Sequence, residues 1–289
     1  MPRKSKQLRF QTDKKREASK TKHFIFGFLI ILIIFGTASA IILFKDASFS
    51  SINSTTAETT SETEIETKPS VTGTAHYLIF CTDDSDSRVQ FAAVIKMAAD
   101  TRQLSVCPVS PEASAQVNGR VMSLSEAYAQ GGAPQAVKAV ESIGNISIDK
   151  YAFANEEKFK KAFNVLGSIQ YNVPEKVSYR SPGVTISMAQ GVQKMTGDIF
   201  CRYMLYCAAQ GKKGLREQAS VTCCAVDSFI NKSNFEKIDR LYDKIINIVS
   251  SDISVIDFNS SKPMLEAFSL NTMRPPCEAV YALNELADK

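Results

Sequence analysis

The chain has 289 residues, 44% hydrophobic and 22% charged, the proportions of a globular protein and not of a disordered or fibrous one. Its formal net charge is only +4. That excess sits in the first 23 residues, where only Asp13 and Glu17 oppose Lys and Arg, so the mildly acidic remainder gives no reason to expect a nucleic-acid partner.

In chain order, residues 1–23 form a basic arm. They are followed by "FIFGFLIILIIFGTASAIILF", Phe24–Phe44, which carries no charged residue and has the length of a helix that crosses the hydrocarbon core. A secretory leader has a shorter apolar core that stops at a small-residue cleavage site. Here "TASA" at 37–40 is followed by "IILF", so the sequence predicts a retained anchor. Lys and Arg before the helix and Glu after it place the arm in the cytoplasm and the C-terminal domain outside, as a single-pass type II protein of the cell membrane. Residues 45–75 are rich in Ser, Thr and Glu, bury little, and are predicted to be a disordered stalk. Residues 76–289 suffice for one substantial core.

Within that domain "HYLIF", "RVQFAAVIKM" and "RQLSVCPV" read as strands, the last two joined by a hairpin-length connection. "SLSEAYAQGG" opens with Ser123 three residues before Glu126, the pattern of a capping box, and stops at a Gly pair. "APQAVKAVESIG" is a second helix. "IDKYAFA" is a strand, and "NEEKFKKAFNVLG" a helix capped by Asn155 with two Glu in its first turn. "SIQYNV" and "GVTISM" are strands. "AQGVQKMTGDIFCRYMLYCAAQG", "LREQASVTCCAVDSFINK" and "SNFEKIDRLYDKIINIVS" read as helices. A further strand or helix at "VSSDISVIDFNSSKPMLEAF" precedes an irregular tail containing "RPP". Strands interleaved with helices predict an α/β fold, a three-layer α/β/α arrangement around a central mixed sheet, preceded by one transmembrane helix.

Seven Cys (81, 107, 201, 207, 223, 224 and 277) leave at least one thiol unpaired. No CxxC spacing occurs and the chain has only His23 and His76, so zinc is not expected. Several Cys lie in apolar runs ("LSVCPV", "SVTCCAV") and read as small buried thiols. The acid-rich "CTDDSDSRVQF" at 81–91 sits at a strand end, where α/β sheets place ligand groups. It reads either as a cation or phosphate site or as a polar turn.

The order of these phrases, "HYLIFCTDD", "RVQFAAVIKMAADTRQLSVCPVSPE", "LSEAYAQGGAPQAVKAVESIGNISIDKYAFANEEKFKKAFNVLGSIQYNVP", "GVQKMTGDIFCRYMLY" and "GLREQ", resembles the LytR–CpsA–Psr family of membrane-anchored envelope proteins over residues 76–232. That resemblance implies transfer of a glycopolymer from a polyprenyl-pyrophosphate carrier to peptidoglycan. The lipid tail would lie in an apolar tunnel, and the pyrophosphate would be gripped by arginines and carboxylate-bound Mg2+. An aspartate would take the proton of the acceptor hydroxyl.

By the same resemblance Asp83 occupies the position of a catalytic and metal-binding aspartate, and Arg88 that of a catalytic, pyrophosphate-binding arginine. Arg216 matches a further pyrophosphate-binding arginine, and Glu112 is an acidic substitute. The sequence departs elsewhere. Ser85, Pro111, Leu205 and Cys207 stand where the family has arginines, with Arg202, Lys212 and Lys213 near enough to supply some charge. Gln90 stands where a magnesium ligand is expected, which speaks against the metal. The expectation is therefore a degenerate member that binds polyprenyl-linked or cell-wall glycan. The alternatives are an active transferase with a diverged arginine/aspartate set and, from the short cytoplasmic arm, a sensor.

Overall fold

The computed structural model describes residues 72–271 and 273–287. The expected arm and anchor helix lie outside these residues, as does the stalk up to residue 71; its last residues were expected to be disordered but lead into the first strand, Thr74–Thr82, where Ala75 is buried. No helix among the described residues is long and apolar enough to cross a membrane. A six-stranded mixed sheet runs through the domain. Its inner strands are β1 (Thr74–Thr82), β2 (Val89–Ala98), β3 (Gln103–Val109) and β6 (Lys150–Asn155), the last parallel to β1 and the others antiparallel.

Alternation along β1 shows why both faces are covered. Tyr77, Ile79 and Cys81 enter one core and Leu78 and Phe80 the other, all of them buried. The first core is closed by α2 (Glu156–Leu166), α3 (Gly197–Ala208) and α4 (Gly211–Phe229). The second is closed by α1 (Leu124–Gly144). Helix α1 begins with the expected Ser123/Glu126 capping box. At Gly131 and Gly132 the backbone leaves helical geometry, Gly132 reaching a φ of 66°, and Pro134 restarts the helix. The two helices read from the sequence are thus one element with a break between them. Asn155 caps α2 through the Lys158 amide, as expected.

Several local readings are corrected. "GVQKM" is a strand, β10 (Gly191–Met195), which pairs with β7 (Ile169–Val173); the helix starts only after Thr196. Pairing with β7 supplies the backbone partners that five residues on a single helical turn would lack. One hairpin and the first strand of another are additions to the sequence reading, which has "GVTISM" alone as a strand here. Strands β4 (Ser114–Val117) and β5 (Arg120–Ser123) turn through Asn118 and Gly119 at φ values of 49° and 77°, the left-handed pair that a tight two-residue turn requires. Strands β8 (Val177–Ser181) and β9 (Val184–Met188) turn through Pro182 and Gly183.

"SNFEKIDRLYDKIINIVS" breaks into α5 (Lys232–Phe235) and α6 (Ile238–Ile246). The tail completes both sheet edges. Strand β11 (Ser250–Ser251) joins β6, α7 (Val255–Ser269) packs on the first core, and β12 (Glu278–Ala279) runs parallel to β3, ahead of a 3-10 turn at Leu283–Leu286.

Candidate functional site

The chain leaves β1 through a turn that Asp83 braces. Its carboxylate accepts from the Ser87 amide (2.7 Å), the Ser87 hydroxyl (2.7 Å) and, at longer range, the Arg88 amide (3.4 Å). Burial by itself would raise the Asp83 pKa. The hydrogen bonds from Ser87, Ser85 and the Arg88 backbone outweigh it and hold the carboxyl below the usual range. The guanidinium of Arg88 lies 3.6 Å from the same carboxylate and is 72% exposed, a weak surface pair. Asp86, at a φ of 58°, accepts from the buried Thr82 hydroxyl and so serves the turn. The turn is tied to the start of α1 by the Val89 amide, which donates to Ser125 Oγ (3.2 Å).

This turn forms one wall of an open cleft of about 750 Å3. Opposite walls come from Ser110, Pro111 and Glu112 after β3, from Glu156 at the start of α2, from the Pro182–Gly183 turn, and from Leu205 and Ala208 on α3. The structure therefore brings Asp83 and Arg88, on one turn, together with Glu112, on the loop after β3, at one cleft.

Arg216 is not among the lining residues. On α4 the position next to it, Glu217, faces inward and accepts from Tyr171 (2.7 Å) and Tyr203 (2.5 Å), so Arg216 faces out, 5.6 Å from the Tyr281 ring. Two of the neighbouring cations are also engaged elsewhere. Arg202 pairs with Asp198 (2.9 Å) and donates to the Thr185 carbonyl, and Lys213 pairs with Glu175 (2.6 Å). Among the described residues that line the cleft, the charged groups are Asp83, Asp84, Glu112, Glu156 and one cation, Arg88. Glu156, which the sequence suggested only as a helix-dipole partner, is the lining residue that reasoning missed. Its place at the junction of a central strand and a helix was the available signal.

Directly beneath lies an apolar cavity of about 40 Å3, walled by Phe91, Phe159, Phe163, Phe200, Met204 and Phe229. Neighbours in sequence serve both spaces: Gln90 lines the cleft and Phe91 the cavity, as do Leu205 and Met204 on α3. The rings pack on one another, with Phe163 5.0 Å from Phe229 and 4.7 Å from Phe200. A void this small is well below the roughly 150 Å3 that admits a benzene ring. Two buried oxygens in this region have no hydrogen-bond partner among the described residues: Gln90 Oε1 on the cleft side and Thr222 Oγ1 on the cavity side.

Comparison with known proteins places the fold. The chain is 26% identical over 146 residues to the polyisoprenyl-teichoic acid–peptidoglycan teichoic acid transferase TagV of Bacillus subtilis, covering 48% of this chain and 37% of that protein. It is 28% identical over 155 residues to biofilm regulatory protein A of Streptococcus mutans, covering 50% of this chain and 37% of that one. The matches thus span less than two-fifths of these relatives' length.

Among solved structures, one from Eubacterium siraeum superposes with a TM-score of 0.65 at 19% identity over 80% of this chain and 90% of that one. The TagV crystal structure gives 0.59 at 20% over 72% and 84%. These likenesses show the fold. The LytR_cpsA_psr family model matches residues 42–274, most of the chain, and the chain belongs to the LytR–CpsA–Psr family.

Proposed function

We propose that this protein is a membrane-anchored, extracytoplasmic member of its family that binds a polyprenyl-linked or cell-wall glycan in the Asp83–Arg88 cleft without transferring it. The observation that carries this reading is the charge of the cleft, four lining carboxylates against the lining cation Arg88, with Glu156 also paired to Lys160 behind it. A pyrophosphate carries its own negative charge and needs cations placed in advance. Removing one such donor commonly costs about 10²- to 10³-fold in rate. Here Ser85, Pro111, Leu205 and Cys207 stand where the resemblance expects arginines, and Arg216 is turned away.

The residues also do not fit a bound Mg2+. Both Asp83 oxygens are occupied by Ser87 and Arg88, and Gln90 is neutral. What the cleft offers is hydrogen bonding. The Gln90 carbonyl oxygen, buried and without a partner among the described residues, suits a sugar hydroxyl, and the cleft is roomy enough for glycan units. The anchor rests on the apolar run Phe24–Phe44, and the glycan chemistry on relatives such as TagV.

Binding of a polyprenyl-diphosphate glycan and of peptidoglycan fragments to the full-length protein in detergent tests the reading. Saturable binding that Gln90→Ala weakens supports it. Absence of binding to either ligand sinks it.

A further inference from the structure

One feature outside the cleft concerns two thiols that the sequence places 54 residues apart. Cys223 lies on α4 and Cys277 immediately before β12, and their sulfurs are 3.1 Å apart. Their approach is fixed from both sides. On α4, Asp227 sits one turn after Cys223 and so faces the same way. One of its carboxylate oxygens accepts from Arg274 Nη1 (2.7 Å) and the other from the Cys277 amide (2.9 Å). On the sheet side, Gln103 Nε2 donates to the Pro276 carbonyl (3.0 Å), Glu278 is paired with Ser105, and the Val280 amide donates to Val106 (2.8 Å). The segment from Arg274 to Val280 is therefore held between α4 and β3, with the two thiols facing each other where it crosses. Neighbouring Cys224 is turned away, its thiol donating to the Gln170 carbonyl (3.2 Å).

We propose that Cys223 and Cys277 are a disulfide site, and that the bond ties the last strand of the sheet to α4. The exposures suit a defined order of events. Cys277 is half-buried and reachable, whereas Cys223 is only 6% exposed. A disulfide oxidant such as oxidised glutathione is attacked by the Cys277 thiolate, which gives a mixed disulfide and releases one glutathione thiolate. The Cys223 thiolate then attacks Cys277 Sγ, forms the protein bond and expels the second glutathione. The two thiols lose two protons and two electrons, and the oxidant gains both. Hydrogen bonding to the Cys223 thiol, then burial, push the Cys277 thiol above the ordinary range, so little of it is thiolate at neutral pH.

The bond has a consequence for the cavity. Thr222, next to Cys223 on α4, and Ala225, two residues after it, line the apolar space, with Phe229 further along the same helix. Cross-linking fixes this wall against the sheet edge. Only the cellular oxidant rests on the extracytoplasmic placement proposed above. The chemistry can fail in vitro with the glycan reading untouched, and the reverse also holds.

The test uses full-length protein, purified in detergent and equilibrated with oxidised glutathione, then alkylated under denaturing conditions and peptide-mapped. The expected result is a peptide pair linked through Cys223 and Cys277, two hydrogens lighter than the free thiols. Reduction then lowers the melting temperature by on the order of 5–15 °C, from the length of the loop closed. Cys277→Ser loses both the link and the reduction-dependent shift, while Cys224→Ser keeps both. Seven alkylated thiols after oxidation, a link through Cys224 instead of Cys223, or a stable glutathione adduct on Cys277 each overturn the proposal.

Discussion

Thr222→Val offers a close test of how the apolar cavity is built. The Thr222 hydroxyl faces a space otherwise walled by aromatic and aliphatic side chains, and it has no partner among the described residues. Leaving a buried hydroxyl unpaired costs about 1–3 kcal/mol. Valine replaces the hydroxyl by a methyl of similar size, and the helix propensities of Thr and Val are close, so the backbone contribution cancels. The 40 Å3 space tolerates the exchange without overpacking. The variant should therefore be more stable by about 1–2 kcal/mol, the lower part of that range because the helix can relax around the site. For a domain of this size that is a rise of roughly 2–8 °C in melting temperature. Urea denaturation followed by circular dichroism measures it, with an unchanged m-value as the control that the folded and unfolded states are comparable. Equal or lower stability refutes the reasoning, because it means the hydroxyl is satisfied by water and the space is not dry.

Further outcomes follow from other named contacts. Asp257 accepts from Ser254 and from Lys150 (3.0 Å), and although burial opposes ionisation, those bonds hold its carboxyl below the usual range. A depressed folded pKa gives stability that is present above the unfolded value and lost as pH falls through the folded one. Asp257→Asn should thus cost about 1–2 kcal/mol at neutral pH, and its gap to wild type should narrow below about pH 4 in urea titrations. Gly214→Ala places a methyl 1.7 Å from the Cys207 carbonyl oxygen, where α4 passes the end of α3. It should destabilise by about 1–3 kcal/mol, measured by thermal unfolding; an unchanged midpoint would show that the helices slide apart freely. Arg216→Ala should leave glycan binding within about twofold, because the side chain faces Tyr281 and not the cleft.

Much of the framework was legible because its signals are local. The continuous apolar runs of β1 to β3, buried on both faces, the Ser123/Glu126 box and the Asn155 cap each read directly from neighbouring residues. The Asn118–Gly119 turn was equally local and still went unread, since its strands are only four residues long and half-exposed. "GVQKM" misled for a different reason. Its apolar spacing fits a helix turn, and only pairing with β7, about twenty residues earlier in the chain, makes it a strand.

In the cleft, the strand-end position of Asp83 and Arg88 could be inferred, but the direction of Arg216 could not. Whether Arg216 or Glu217 faces inward depends on the two tyrosine hydroxyls that converge on Glu217 from β7 and α3. The approach of Cys223 to Cys277 was likewise invisible, because it depends on the tail crossing from the β11 edge to the β12 edge of the sheet.

The central claim, binding without transfer, is tested most directly by release of the polyprenyl carrier. Full-length protein in detergent is incubated with a polyprenyl-diphosphate glycan, peptidoglycan and Mg2+, and freed carrier is quantified over time. The account predicts bound glycan with carrier release no faster than in the absence of protein. Turnover that disappears in Asp83→Ala and Arg88→Ala would contradict it and establish this cleft as a working transferase site.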